Sequence, residues 1–218
     1  MVKFYDFTSV IVQGISGTGK TSLMKEIIRQ KDLLFFTIPT KIIYIYSHYQ
    51  EIYDEMKSYF PDISFVKNIP DEKELTHMVS GSAHTMLVCD DKMTQVGKEP
   101  IILDLFVRLC HHLKISVFLL LQLSNLSKSP YMGEIMRNSH YYFIFKSGQN
   151  GQTLRSLGIR INDYKTLFEA YKLAVKGKNH AYICINLHPN AQEIEKYSTN
   201  ILPSDGYTIL YIRQKSLY

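Results

Sequence analysis

Apolar and polar positions alternate along this chain in short blocks, and each change of period marks a new element. Residues 7–13, "FTSVIVQ", read as a first strand and residues 20–30, "KTSLMKEIIRQ", as a first helix. A second strand, "KIIYIYS" (41–47), is followed by the helix "YQEIYDEMKSYF" (49–60), which Pro61 stops. "ISFVKN" (63–68) is a short strand. "DEKELTHMVSG" (71–81) is a helix with acids in its first turn and Gly81 past its end. The run "HTMLVCDD" (84–91) is a buried strand that closes on two carboxylates, and a loop spans residues 92–100. Then come the helix "IILDLFVRLCHHL" (101–113), the wholly apolar strand "ISVFLLLQ" (115–122) and the short helix "YMGEIMRNS" (131–139). The strand "HYYFIFK" (140–146), the helix "DYKTLFEAYKLAVKG" (163–177) and two late strands, "HAYICINLH" (180–188) and "GYTILYIRQ" (206–214), complete the series.

Strands alternating with helices predict an α/β fold, a mostly parallel central sheet with helices on both faces and extra strands at the C-terminal end. With 218 residues, 45% of them apolar, the chain has enough material for one full core, and residues 1–218 are read as a single domain. Within it, residues 1–160 form the core and residues 161–218 add the last helix and strands to the sheet. The longest uninterrupted apolar run, "VFLLL" (117–121), is far short of the roughly 18 residues of a membrane span. "MVKFYDFTS" has no signal-peptide core, so a soluble, intracellular protein is expected. Cys89, Cys110 and Cys184 each lie in an apolar stretch without a CxxC pair and read as buried free thiols. The net charge of +5 permits contact with a polyanion without requiring it. Many of the sixteen tyrosines sit on strands, where aromatic side chains pack well, and they are assigned no chemistry.

The chemistry concentrates in "GISGTGKTSL", residues 14–23, which matches G-x-x-x-x-G-K-[ST] between a strand and a helix. Gly17 and Gly19 admit backbone angles closed to other residues, so that successive N–H groups turn inward as a nest for phosphate, with the first helix aiming its positive end at the same anion. Gly14, Ser16, Gly17, Thr18, Gly19, Lys20, Thr21 and Ser22 are therefore the candidate binding residues for ATP. Lys20 is expected to reach the β and γ phosphates, and the Thr21 hydroxyl to ligate Mg²⁺. No third glycine follows at the Rossmann spacing, no G-x-S-x-G elbow is present, and no His/Cys spacing suits zinc. A loop of this kind needs a carboxylate at the end of another buried strand to hold the metal. Asp90 is placed for that, and Asp91 is placed to orient or deprotonate a water. Gln122 ends the strand "ISVFLLLQ" at the edge where open α/β sheets bind ligands.

Taken in order, "GISGTGKT", "MLVCDD", "LCHHLKISVFLLLQ" and "MRNSHYYFIFK" resemble the viral genome-packaging ATPases of the FtsK/HerA superfamily, and in particular the small enzymes of polintons and virophages. "NHAYICINLHPN" and "TNILPSDGYTILYI" are similar to the C-terminal strands of that group, so the likeness runs from about residue 10 to 212. The resemblance implies a P-loop NTPase of the ASCE (RecA-like) type. It also implies a homo-oligomeric ring, a pentamer or hexamer, that hydrolyses ATP with Mg²⁺ to push double-stranded DNA into a preformed capsid through its portal vertex. The implied setting is the infected host cell, in a virus factory, the cytoplasm or the nucleus, or the virion itself. In those terms Lys20 and Thr21 hold phosphate and metal, Asp90 is the Walker B acid, Asp91 the water-activating acid and Gln122 the sensor. Cellular relatives usually carry Glu where Asp91 stands.

Such rings also take an arginine from a neighbouring subunit. Arg108, one helical turn before His111 and His112, is the first candidate and Arg137 the second, against an exposed charge or a local ion pair. Lys92 and Lys98 in the loop after the acids are candidates for DNA phosphate contact, against ordinary solvated lysines. Two rival functions share the phosphate loop. A small-molecule kinase is expected to carry an arginine-rich lid, whereas Arg137, Arg155 and Arg160 are widely spaced. A nucleotide-gated assembly or scaffold protein differs from a motor only in turnover.

Overall fold

The computed structural model describes residues 2–90, 99–122, 130–177 and 179–212. Its strands are β1 (Ser9–Gln13), β2 (Lys41–Ile45), β3 (Ile63–Val66), β4 (Thr85–Cys89), β5 (Ile115–Leu121), β6 (Tyr141–Phe145), β7 (Tyr182–Asn186), β8 (Tyr197–Thr199) and β9 (Ile209–Leu210). Among the described residues they form one sheet in the order β3-β2-β4-β5-β1-β6-β7-β8-β9. The first six are parallel, and β7, β8 and β9 join antiparallel to their neighbours. The α/β architecture expected from the alternation of elements is the one observed, with the extra antiparallel strands at the C-terminal end.

The helices are α1 (Lys20–Arg29), α2 (Lys31–Leu34), α3 (Ile52–Tyr59), α4 (Glu72–Val79), α5 (Pro100–Asp104), α6 (Met132–Arg137), α7 (Gly151–Arg160) and α8 (Tyr164–Ala174). Beyond Asp104, α5 continues through a π-helical turn, Leu105–Leu109, into a last helical turn, Cys110–His112. The central strands are buried on both faces, which is why they read as continuous apolar runs. Successive residues of a strand serve opposite faces. Ile11, Leu87 and Leu119 pack with α4, α5, α7 and α8 through Leu75, Ile102, Leu157 and Leu167. Val10, Val12, Val88 and Phe118 pack with α1 and α3 through Met24, Ile27, Ile28 and Met56. Each such side chain contributes about 1.5–3 kcal/mol on burial.

Three readings change. Residues 151–160 are helical although no element is expected there, and β8 is likewise an additional strand. Of the late strand expected over residues 206–214, the described part starts pairing at Ile209 and Leu210 and the Tyr211 N–H donates to the Tyr197 carbonyl at 2.8 Å; it starts late because Pro203–Asp205 forms a 3-10 turn just before it and Gly206 takes φ 81°. α4 starts as its acids suggest. The Asp71 side chain accepts from the Glu74 N–H at 2.8 Å, and Glu74 accepts from the Asp71 N–H at 3.0 Å. Cys89, Cys110 and Cys184 are buried and free, and burial pushes the Cys110 thiol up to about 11.

Because the six parallel strands run one way, the segments after β1, β2, β4 and β5 all emerge on one edge of the sheet. β1 and β4 are separated by β5 alone, with Gln13 beside Leu121 and Leu119 beside Cys89. At strand spacing this sets the ends of β1 and β4 about 10 Å apart.

Candidate nucleotide site

The loop between β1 and α1 wraps the start of the helix. Gly17 and Gly19 both lie in the left-handed region, at φ 76° and 99°, where a side chain is strained. Gly19 directly precedes α1, so the first amides of that helix face the open end of the loop. Lys20, 9% exposed, folds back along the loop and its Nζ donates to the carbonyls of Gly14 and Ile15, each at 3.0 Å. The Thr18 hydroxyl donates to the Ile15 carbonyl at 2.8 Å.

Asp90 follows β4 and is 3% exposed. Burying a carboxylate is costly unless donors compensate for the lost water, and three hydroxyls supply them to one oxygen. Oδ2 accepts from Tyr44 at 2.7 Å, from Thr21 at 3.1 Å and from Tyr53 at 3.2 Å. The Thr21 bond joins the phosphate loop to the acid across the width of β5. The two tyrosines are a correction to the sequence reading, which gave none of them a chemical role: Tyr44 on β2 and Tyr53 on α3 hold Asp90 in place. Burial, and then the negative charge of Asp90, hold the Tyr44 phenol well above its ordinary pKa, so it remains a donor. Tyr44→Phe is expected to leave that carboxylate short of its nearest donor and to cost about 1–3 kcal/mol of stability in urea unfolding, with Tyr53→Phe costing less.

These groups share a cleft of about 530 Å³ lined by residues of the loop, by Asp90 and Gln122, and also by Gln50, Glu51, Ile52 and His180. The last four escaped the sequence reading. Gln50 to Ile52 lead into α3, and His180 precedes β7; both segments reach this edge only through strand order and direction. A hydroxyl and a carboxylate already within hydrogen-bond distance form a hard oxygen donor set suited to Mg²⁺, and the glycine-lined loop beside them suits phosphate. The donor set fits the metal and the anion together.

Asp91, Lys92 and Lys98 lie outside the described residues. Arg108 does not line the cleft. It forks onto Glu72 of α4 at 2.8 and 3.2 Å and onto Asp104 at 3.1 and 3.4 Å. The bond to Arg108 holds the Glu72 carboxyl below its usual range. His111 lines a second cleft of about 450 Å³ with Tyr5, His140 and His188. The His111 and His140 rings lie 6.1 Å apart, and those of His140 and His188 4.8 Å apart. His140 precedes β6 and His188 follows the antiparallel β7, so this cleft is at the opposite edge of the sheet. Burial, helped by His188 and His111, pulls His140 down to about 4. Among the described residues no group of three His, Cys, Asp or Glu side chains is arranged to hold a metal ion. Arg137 is exposed, 3.6 Å from Glu134. No described helix is long and apolar enough to cross a membrane.

The acid-bearing strand β4 is set one strand away from the phosphate-loop strand β1. The fold is similar to that of a KaiC-like protein from the hyperthermophilic archaeon Pyrococcus horikoshii. The two superpose with a TM-score of 0.52 over 95% of this chain and 90% of the other, at 12% sequence identity. No family model and no curated protein sequence matches the chain. At that identity the likeness establishes the RecA-like fold, and the chemistry rests on the residues themselves.

Proposed function

We propose that the chain is a Mg²⁺-dependent ATPase whose turnover drives double-stranded DNA through a homo-oligomeric ring, in the packaging of a viral genome into a preformed capsid. The observation that carries the nucleotide part is the convergence of Lys20, Thr21, Asp90 and Gln122 on one cleft at the C-terminal edge of the parallel strands. The loop amides and Lys20 bind the triphosphate, while Thr21 and Asp90 hold the metal. When bound, the metal supplies positive charge against the phosphate oxygens. Asp91 takes the proton of the attacking water, and Gln122, at the tip of the strand between loop and acid, orients that water.

The DNA and capsid part rests on the ordered resemblance of four sequence blocks to packaging ATPases. Arg108 and Arg137 remain the candidates for a residue supplied to the neighbouring subunit. The pairs of Arg108 are exposed on both sides, with side-chain exposures of 44% for the arginine and 49% for Glu72, so exchanging them for a neighbour's phosphate costs little. Lys92 and Lys98 are assigned to the DNA backbone, and the capsid or portal vertex is the docking partner. The site of action is the compartment of the infected cell where particles form.

The test is ATP hydrolysis measured with and without duplex DNA, with the mass of the particle in solution determined alongside. Turnover raised several-fold by duplex DNA, in a particle several times the 25.3 kDa of one chain, is the expected result. Binding without turnover turns the reading towards an assembly protein, and phosphate transfer to a small acceptor turns it towards a kinase.

A further inference from the structure

We propose that His180 is a nucleotide-binding residue whose imidazole donates a hydrogen bond to the phosphate chain held by the loop at residues 14–22; this deepens the ATP-binding reading above and rests on it. The placement is specific. β7 runs antiparallel to β6, so its beginning, not its end, lies at the edge that carries the phosphate loop. Tyr182 pairs with Phe145, and the Lys146 N–H donates to the Ala181 carbonyl at 2.8 Å, so the sheet's hydrogen bonding reaches the residue next to His180. His180 itself takes φ 56°, a left-handed conformation uncommon outside glycine.

His180 borders the space beside Gly19. A side chain starting at Gly19 would meet the imidazole at once, with Nδ1 3.3 Å, Cβ 3.4 Å and Cγ 3.5 Å from its first carbon. Gly19 directly precedes the helix whose first amides point at an anion. A ring nitrogen this close to the space beside Gly19, on a residue that lines the same cleft, lies on the rim of the same anion site. Of the side chains that line the cleft among the described residues, only Lys20 and His180 can bear positive charge, while Glu51 and Asp90 bring negative charge. A polyphosphate entering beside these carboxylates gains from a second donor on the β7 side of the loop, away from Asp90, and hydrogen bonds to charged acceptors are the stronger class. His180 is exposed and lies outside the buried core.

The experiment compares wild type with His180→Ala, His180→Gln and His180→Phe in calorimetric titrations with ATP and with inorganic tripolyphosphate, after thermal melts establish that each variant folds. His180→Ala is expected to weaken both ligands about ten-fold, equivalent to about 1.4 kcal/mol. The Gln variant, which retains an N–H donor, recovers most of that loss, and the Phe variant, which retains only a ring, does not. Equal affinity of His180→Ala and wild type for ATP overturns the inference while leaving the ATP reading intact. Loss confined to ATP, or recovery by Phe, overturns it by assigning the ring to the base. Failure of wild type to bind ATP at all is the separate result that overturns the underlying reading.

Discussion

Lys20→Ala is expected to lower ATP affinity by about two to four orders of magnitude and to bring hydrolysis below detection, with the fold retained. The ammonium already lies inside the loop, donating to two of its carbonyls, so it needs to swing only within that loop to meet an incoming anion. Two charge-assisted contacts at about 1.5–3 kcal/mol each make up that loss. Of the two residues whose carbonyls it leaves behind, Ile15 is exposed and Gly14 buried, so one carbonyl passes to water while the other loses its donor, and a thermal melt should show a modest loss of stability without unfolding. Calorimetric titration of ATP into the variant checks the prediction. Affinity within two-fold of wild type would show that the loop holds no phosphate and would remove the nucleotide site as described.

Asp90→Asn is expected to separate binding from turnover. The substitution conserves shape, and the remaining carbonyl oxygen still accepts from Tyr44 and Tyr53, so the buried hydroxyls keep a partner and the chain folds. What disappears is the negative charge beside Thr21, and with it the oxygen pair that suits Mg²⁺. Hydrolysis should fall by roughly 10²–10³-fold, about 3–4 kcal/mol in the barrier, while ATP still binds through Lys20 and the loop amides. Steady-state hydrolysis over a range of Mg²⁺ concentrations checks this. Wild-type turnover in the variant would place the metal elsewhere. Together the two substitutions form a sharp pair, because one removes the anion's partner and the other the metal's.

Much of the site is legible in the sequence because its defining features are local. The glycine and lysine spacing of residues 14–21 is a property of one turn, and Asp90 stands out as an acid closing an apolar strand. The misses have physical causes of their own. α7 contains Gly151 and Gly158, and glycine in a helical stretch reads as a breaker. Here Gly158 permits close packing, since a Cβ at that position would lie 2.6 Å from the Tyr164 backbone.

By itself the sequence determined the succession of strands and helices, the phosphate-loop chemistry and the acid at the strand tip, since periodicity and spacing act within a few residues. Only the tertiary structure decided which distant residues meet there: the tyrosines that grip Asp90, the residues leading into α3, His180 ahead of β7, and the pairing of Arg108 with Glu72. Those contacts depend on the order and direction of strands in the sheet. Both are settled by long-range packing of apolar faces that look alike when read one segment at a time.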